Sequence, residues 1–297
     1  MHICSMSKPT ICGFTMVRNA IKFDYPIVES IKSILPIVDE YLVAVGNSDD
    51  GTLELIKNIG SPKIKIIETI WDDSLRLGGQ VLAVETNKSF DAIGDHFDWC
   101  FYLQGDEVVH EKYHQPILHA CAKYKDRNEV EGLLFGYTHF YGSFDYVGDS
   151  RAWYRKEIRI IKNNKSIRSY KDAQGFRKGG RKLQVKPIPA QIYHYGWVRD
   201  PRFQQAKQES FNKLWHSDDY VQQHVATANE FDYKAIDSLK RFEGTHPTIM
   251  KERLQRMNWE FTWDISQKKF TFKERFLYWF EKLTGKRLFE YKNYKVI

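Results

Sequence analysis

Apolar residues keep two rhythms over the first 110 residues. Thr10–Val17 (TICGFTMV), Tyr41–Val45 (YLVAV), Lys63–Trp71 (KIKIIETIW) and Trp99–Leu103 (WCFYL) are short β-rich runs that read as strands. Between them apolar positions recur at helical spacing. Ile27, Ile31, Ile34 and Leu35 do so up to Pro36, LELIKNIG stops at Gly60-Ser61-Pro62, and Gln80–Ile93 gives a third helix. This alternation predicts right-handed βαβ crossovers and a parallel sheet, hence an α/β fold. The last run, Trp99–Leu103, is apolar throughout, as in a strand covered on both faces.

The rhythm changes after residue 110. Glu131–Ser143 (EGLLFGYTHFYGS) and Trp153–Asn163 (WYRKEIRIIKN) read as longer strands with aromatic alternation, followed by a basic loop, RSYKDAQGFRKGGRK. Phe203–Trp215 reads as a helix carrying Lys207 and Lys213, and a further helix runs through MKERLQRM. In the final segment, FTFKERFLYWFEKLTG, residues Phe272, Phe276, Trp279, Phe280 and Leu283 share one helical face. Such a basic, aromatic amphipathic helix can lie in a membrane interface, or dock onto its own domain or a second subunit; docking is the expectation.

Charge sharpens this division. The net charge is +7, but Arg151–Lys182 carries a surplus of ten positive charges and Lys268–Ile297 a surplus of six, leaving −9 on the remainder. The chain is therefore an acidic body with two basic segments. Cys4, Cys12, Cys100 and Cys121 show no metal spacing and read as reduced thiols. No signal peptide opens the chain and no apolar run approaches a membrane span, which predicts a cytoplasmic protein.

The candidate chemistry gathers where the Trp99 strand breaks into Gly105, Asp106 and Glu107, with His110 and Glu111 following. Carboxylates at the carboxyl edge of a parallel sheet lie where ligands bind in open α/β folds. Two neighbouring carboxylates need a cation or donors, and hard oxygen ligands suit Mg²⁺ or Mn²⁺ arriving with phosphates. The alternative is a helix N-cap. Gly46–Thr52 (GNSDDGT) turns at Gly46 and can aim amide N–H groups at an anion, or is a turn plus cap on Asp49 or Asp50. Arg76 beside Gly78-Gly79 suits close approach to a phosphate. Asp172 is the lone acid among Lys171, Arg177, Lys178 and Arg181, which should keep it ionised. His194, framed by Tyr193, Tyr195 and Trp197, is a hydrogen-bonded core histidine or a neutral metal ligand.

Together MVRN (Met16–Asn19), AVGNSDDGT (Ala44–Thr52), Ala83-Val84-Glu85-Thr86-Asn87 and LQGDE (Leu103–Glu107) follow the order of motifs in family 2 glycosyltransferases, and the chain resembles that family over about its first 110 residues. WCFYLQGDEVVHE and the later His194–Arg199 segment (HYGWVR) resemble a bacterial-type branch of it. The resemblance implies a GT-A fold, a mostly parallel sheet flanked by helices. A domain over 1–262 would divide into a nucleotide-sugar half (about 1–110) and an acceptor half (about 111–262), with a basic amphipathic tail over 263–297. It further implies a nucleotide-diphosphate sugar, a UDP-sugar favoured, on Arg18, Asn19, Gly46, Asn47, Arg76, Gly79, Gln104 and Asp106. Mn²⁺ or Mg²⁺ would sit on Asp106 with Glu107 or His194, and Asp172 would act as base. A glycan or lipid-linked acceptor and no nucleic acid complete the expectation; the tail's alternative to docking is peripheral contact with the inner face of a membrane.

Two departures qualify the resemblance. Val45 and Gly46 replace an aspartate that reads uracil, and Gln104 replaces the first acid of the D-x-D motif, of which Asp106 is the last. A nucleotidyltransferase of similar architecture would carry a glycine-rich loop that MVRNA lacks. A non-catalytic carbohydrate-binding relative fits the lost acid. A nucleic-acid binder would use the basic segments with steep salt dependence.

Overall fold

A computed structural model describes residues 8–75, 77–225 and 228–297. Its first half is the βαβ array that the apolar runs predict. Strands β1 (Ile11–Val17), β2 (Glu40–Gly46), β3 (Ile64–Thr69) and β4 (Trp99–Tyr102) lie in the order β3-β2-β1-β4, all parallel. Alternate residues along each strand face opposite sides. Val43, Val45, Trp99 and Phe101 pack with Ile27, Ile31 and Ile34 of α1 (Ile27–Ile34). Phe14, Leu42, Cys100 and Tyr102 pack with Val81, Leu82 and Phe90 of α3 (Gln80–Asp91). Both faces of β1, β2 and β4 are therefore dry, which is why they read as apolar runs, while the edge strand β3 stays partly exposed. The short α2 (Thr52–Lys57) completes the crossover from β2 to β3. Cys12, Cys100 and Cys121 are buried free thiols; Cys4 lies outside the described residues.

The second half extends the same sheet with strands of the other sense. After β5 (Glu107–Val109) and α4 (His114–Tyr124) come β6 (Gly132–Tyr141), β7 (Ser143–Gly148) and β8 (Lys156–Lys162). β8 runs antiparallel to β4 on one side and to β6 on the other, so the sheet is mixed. The basic loop is in fact a small three-stranded antiparallel sheet, β9 (Ile167–Tyr170), β10 (Gly175–Lys178) and β11 (Arg181–Lys182). Asp172 sits in its first turn. The long β12 (Gln184–Trp197) runs parallel to β6 and antiparallel to β5, and its register sets His194 opposite Glu107. Helices α5 (Pro201–Asn212) and α6 (Asp218–His224), strand β13 (Leu239–Arg241) and α7 (Lys251–Gln255) follow. Beyond α8 (Phe272–Thr284), β14 (Lys295–Val296) returns to pair with the start of β12.

Of the aromatic face of α8 only Phe280 is half-buried; Phe272, Phe276, Trp279 and Leu283 face solvent and do not dock onto their own domain, one of the two dockings expected. The polar face of the helix makes the contacts instead, because Asp149, Arg151 and Arg155 offer charged partners there.

Candidate functional site

Past the end of β4 the backbone turns sharply, with Glu107 N–H donating to the Gln104 carbonyl at 3.0 Å, and the turn presents Asp106. The Asp106 carbonyl accepts from Tyr195 N–H at 2.8 Å, which fixes this turn to β12. The Asp106 side chain opens into a cavity of about 980 Å³. Cavities of this size hold drug-sized ligands.

Three positive or polar groups converge on Asp106. Lys207 Nζ, from α5, donates to Oδ2 at 3.1 Å and to the Gly196 carbonyl at 3.0 Å. His194 Nε2 lies 3.7 Å from Oδ1. Arg199, fully buried, is tied to the Phe23 and Gly196 carbonyls, and both it and Lys207 sit 5.1 Å from the centre of the Tyr25 ring. Burial alone would raise the carboxyl's pKa, but the charges of Lys207 and Arg199 and the hydrogen bond from Lys207 outweigh it and hold Asp106 far below the usual carboxylate range. Lys207 is pushed down to about 8 by burial and by Arg199, with Asp106 pulling it back.

His194 is a neutral imidazole whose tautomer its neighbour dictates. Burial pushes His139 down to about 3, so its ring is neutral. His139 Nε2 is 2.8 Å from the Tyr154 carbonyl and must donate to it, which leaves Nδ1 as an acceptor. That atom is 3.2 Å from His194 Nδ1, which therefore donates. The His194 pKa is lowered by burial despite the pull of Asp106, and the bare Nε2 lone pair then faces the carboxylate. Two electron-rich atoms 3.7 Å apart repel unless a cation lies between them. Gly196 keeps the space beside this pair open: a Cβ there would come 2.6 Å from His194 Nε2 and 2.7 Å from Asp106 Oδ2, the oxygen that Lys207 also holds. One carboxylate oxygen and one imidazole nitrogen thus fit part of a divalent ion's shell, with the rest left to water or phosphate oxygens. No group of three or more His, Cys, Asp or Glu suited to a metal exists among the described residues.

Glu107 corrects the expectation that it helps with the cation. Its side chain is fully buried, its Oε1 accepts from Arg159 Nη2 and the Tyr137 hydroxyl, both at 2.7 Å, and its Oε2 accepts from Arg159 Nε at 2.8 Å and Gln104 N–H at 3.0 Å. Four donors leave no free direction for a metal, so Glu107 braces the turn that carries Asp106. Breaking such a buried pair costs about 3–5 kcal/mol.

The other expected donor-site residues divide into wall and support. Arg18, Asn19 and Gln104 line the cavity. Arg18 Nη1 pairs with Asp73 at 2.7 Å, and its guanidinium lies 5.7 Å from the Trp71 ring centre. Asn19, with φ +54°, accepts from Asp49 N–H at 3.0 Å. Gly46 and Asn47 act through Trp71: a Cβ on Gly46 would come 2.4 Å from the indole nitrogen, and Asn47 Oδ1 accepts from Trp71 N–H at 3.1 Å. Gly79, with φ +67°, lets Asp172 and Trp215 close against it, each 2.9 Å from where its Cβ would stand. Its role here is packing. Arg76 lies outside the described residues.

Asp172 also lines the cavity, at the tip of the β9–β10 turn, and accepts from Gln174 Nε2 at 2.9 Å. Lys171 and Ala173 on either side are left-handed, at φ +54° and +60°, a conformation that disfavours residues with a Cβ and often marks functional turns. Three of the cations expected to surround Asp172 go elsewhere. Lys178 and Arg181 pair with Glu131, while Arg177 donates to the Asn293 carbonyl and the Tyr291 hydroxyl.

Sequence reasoning missed several residues. Glu157 on β8 lines the cavity and is pushed up to about 7 by burial, against the pull of Arg159 and a hydrogen bond from Ile158 N–H. Asn293, buried, has an unpartnered Oδ1, and with Tyr291 and Tyr294 it walls the same cavity. Lys207 was placed on its helix without a role. Only the basic character of that helix hinted at it.

No family model matches the sequence, and no curated protein matches it. Solved structures resemble it distantly. TarS of S. aureus (residues 1–349, in complex with UDP) superposes with a TM-score of 0.39 at 13% identity, covering 74% of this chain and 67% of that one. Glucosyl-3-phosphoglycerate synthase of Mycobacterium tuberculosis, in complex with Mn²⁺, UDP and phosphoglyceric acid, gives 0.29 at 20% identity over 45% of this chain and 43% of that one. A 4-diphosphocytidyl-2C-methyl-D-erythritol synthase from Anaerococcus prevotii gives 0.34 at 10% identity over 53% and 72%. Superpositions this loose carry no argument about activity.

Proposed function

We propose that this chain transfers a glycosyl group from a nucleotide-diphosphate sugar, a UDP-sugar first, to the hydroxyl of a glycan or lipid-linked acceptor. The observation that carries the reading is the facing pair of Asp106 Oδ1 and His194 Nε2, 3.7 Å apart under Gly196, at the carboxyl end of β4 in a cavity that Lys207 also lines. The sequence resemblance supports it independently.

Asp106 and His194 would hold Mn²⁺ or Mg²⁺, which supplies charge to stabilise the departing diphosphate. The chain's own residues do the rest. Lys207 and Arg18 on the cavity wall offset the anionic donor, and Trp71 gives a flat apolar surface for its base. Asp172 takes the proton from the acceptor hydroxyl as that oxygen bonds the anomeric carbon and the carbon–phosphate oxygen bond breaks. One displacement at that carbon inverts its configuration.

The test is a panel of nucleotide sugars incubated with the protein and Mn²⁺ or Mg²⁺, read by nucleoside diphosphate release and by calorimetric binding. Release from one donor, lost in Asp106→Asn, is the expected result. Binding without release under any acceptor would make the protein a carbohydrate-binding relative, and no binding of any nucleotide sugar would sink the reading.

A further inference from the structure

The helix α8 is secured at both ends, by a reciprocal capping box between Thr271 and Glu274 and by the left-handed Gly285. It meets the body through polar groups. The Tyr278 hydroxyl donates to Asp149 at 2.5 Å, and Lys282 pairs with the same carboxylate at 3.0 Å. Glu281 accepts from Arg151 at 2.9 Å and from Arg287 at 2.8 Å. Phe272, Phe276, Trp279 and Leu283, spaced i, i+4, i+7, i+11, form one stripe, and they stand 91%, 53%, 57% and 69% exposed. Surface helices ordinarily turn such a stripe inward, and a contiguous exposed apolar patch marks a binding surface.

The charges beside the stripe say what covers it. At about 100° per residue, Lys273 flanks it on one side and Arg275 and Lys282 on the other. Lys273, Arg275 and Lys286 are exposed, and none has a carboxylate partner among the described residues. The segment 268–297 holds nine Lys or Arg against three Glu. All three glutamates are engaged, Glu274 in the cap and Glu281 and Glu290 against Arg151 and Arg155 of the body. A second copy packed stripe to stripe about a two-fold axis would therefore press like charges together with nothing to neutralise them. An anionic bilayer offers the opposite: an apolar boundary for the aromatic rings and phosphates for the flanking cations. No helix among the described residues is long and apolar enough to cross a membrane, so α8 would lie on the surface.

We propose that α8 is an interfacial helix that holds this protein flat against an anionic lipid bilayer. The inference is independent of the reading of the cavity. Its test is co-sedimentation of the full chain with vesicles of phosphatidylglycerol and phosphatidylcholine, against phosphatidylcholine alone, across salt. Partition at least about tenfold stronger onto the anionic vesicles is expected, falling with salt and lost in the variant Phe276→Ser/Trp279→Ser/Leu283→Ser. A charge variant, Lys273→Glu/Arg275→Glu, should lose the anionic preference while keeping its folded circular dichroism. Equal partition of wild type and variants overturns the proposal. So does a concentration-dependent dimer, seen by light scattering and abolished by the triple variant, without vesicle binding.

Discussion

At the end of β4, Asp106 is buried beneath Lys207 and Arg199, which keep it charged; on β8, Glu157 is equally buried, and there desolvation wins and lifts it to about 7. Both groups line one cavity, so burial alone does not explain the difference. What the nearby cations are bound to does: Lys207 donates directly to Asp106, whereas the Glu107 carboxylate beside Glu157 pushes it up. Arg159 is the strongest cation acting on Glu157, but its guanidinium is bound bidentately to Glu107. A fixed negative charge suits holding a cation, whereas a carboxyl titrating near neutrality suits moving a proton. Consecutive contacts connect the Glu157 corner to Asp172: Asn293 donates to the Gln174 carbonyl at 3.4 Å, and Gln174 holds Asp172.

The sharpest way to break this contrast is to remove each carboxylate in turn. Asp172→Asn should lower turnover by about 10²–10⁴-fold with donor affinity nearly intact. If Glu157→Gln produces that loss and Asp172→Asn does not, the base is Glu157. Next in size, Lys207→Met should lower turnover by about 10²–10³-fold, as loss of one preorganised charge stabiliser does. Calorimetry should show weakened diphosphate binding in the same variant.

With Asp172 as base, Glu157→Gln should cost turnover less than about tenfold, and its main effect should appear in stability. A carboxyl raised from 4.5 to about 7 binds more protons folded than unfolded between those values, so this group's contribution to stability falls as pH rises through that window. The span amounts to about 3 kcal/mol. Urea midpoints measured from pH 4 to 8 should show Glu157→Gln gaining on wild type as pH rises; His139, pushed down to about 3, acts with the opposite sign in both proteins and cancels in the difference. The smallest expected effect is a few-fold loss of donor affinity above pH about 8, as Lys207 sheds its proton.

The parallel half was legible because its signals are local: each apolar run lies within one strand, and each crossover helix lies between the strands it joins. Asp106 was legible for the same reason. Glu107, the next residue, was not, because its fate rests on Arg159, 52 positions away on a strand running the other way. Lys207 reaches Asp106 across 101 positions, and Asn293 enters the wall only because β14 pairs with β12. The chain's pattern also located four of the five aromatic and apolar residues on the exposed face of α8, yet spacing fixes which residues share a face and not which way that face looks. Asp149, far upstream, decides that.

Gly196 has a backbone that any residue could adopt; what demands glycine there is the space above His194 and Asp106. Even one methyl group would wedge the two apart. Among related chains, the residue at this position therefore works as a marker for the proposed ion seat: only a hydrogen there leaves His194 and Asp106 where they stand.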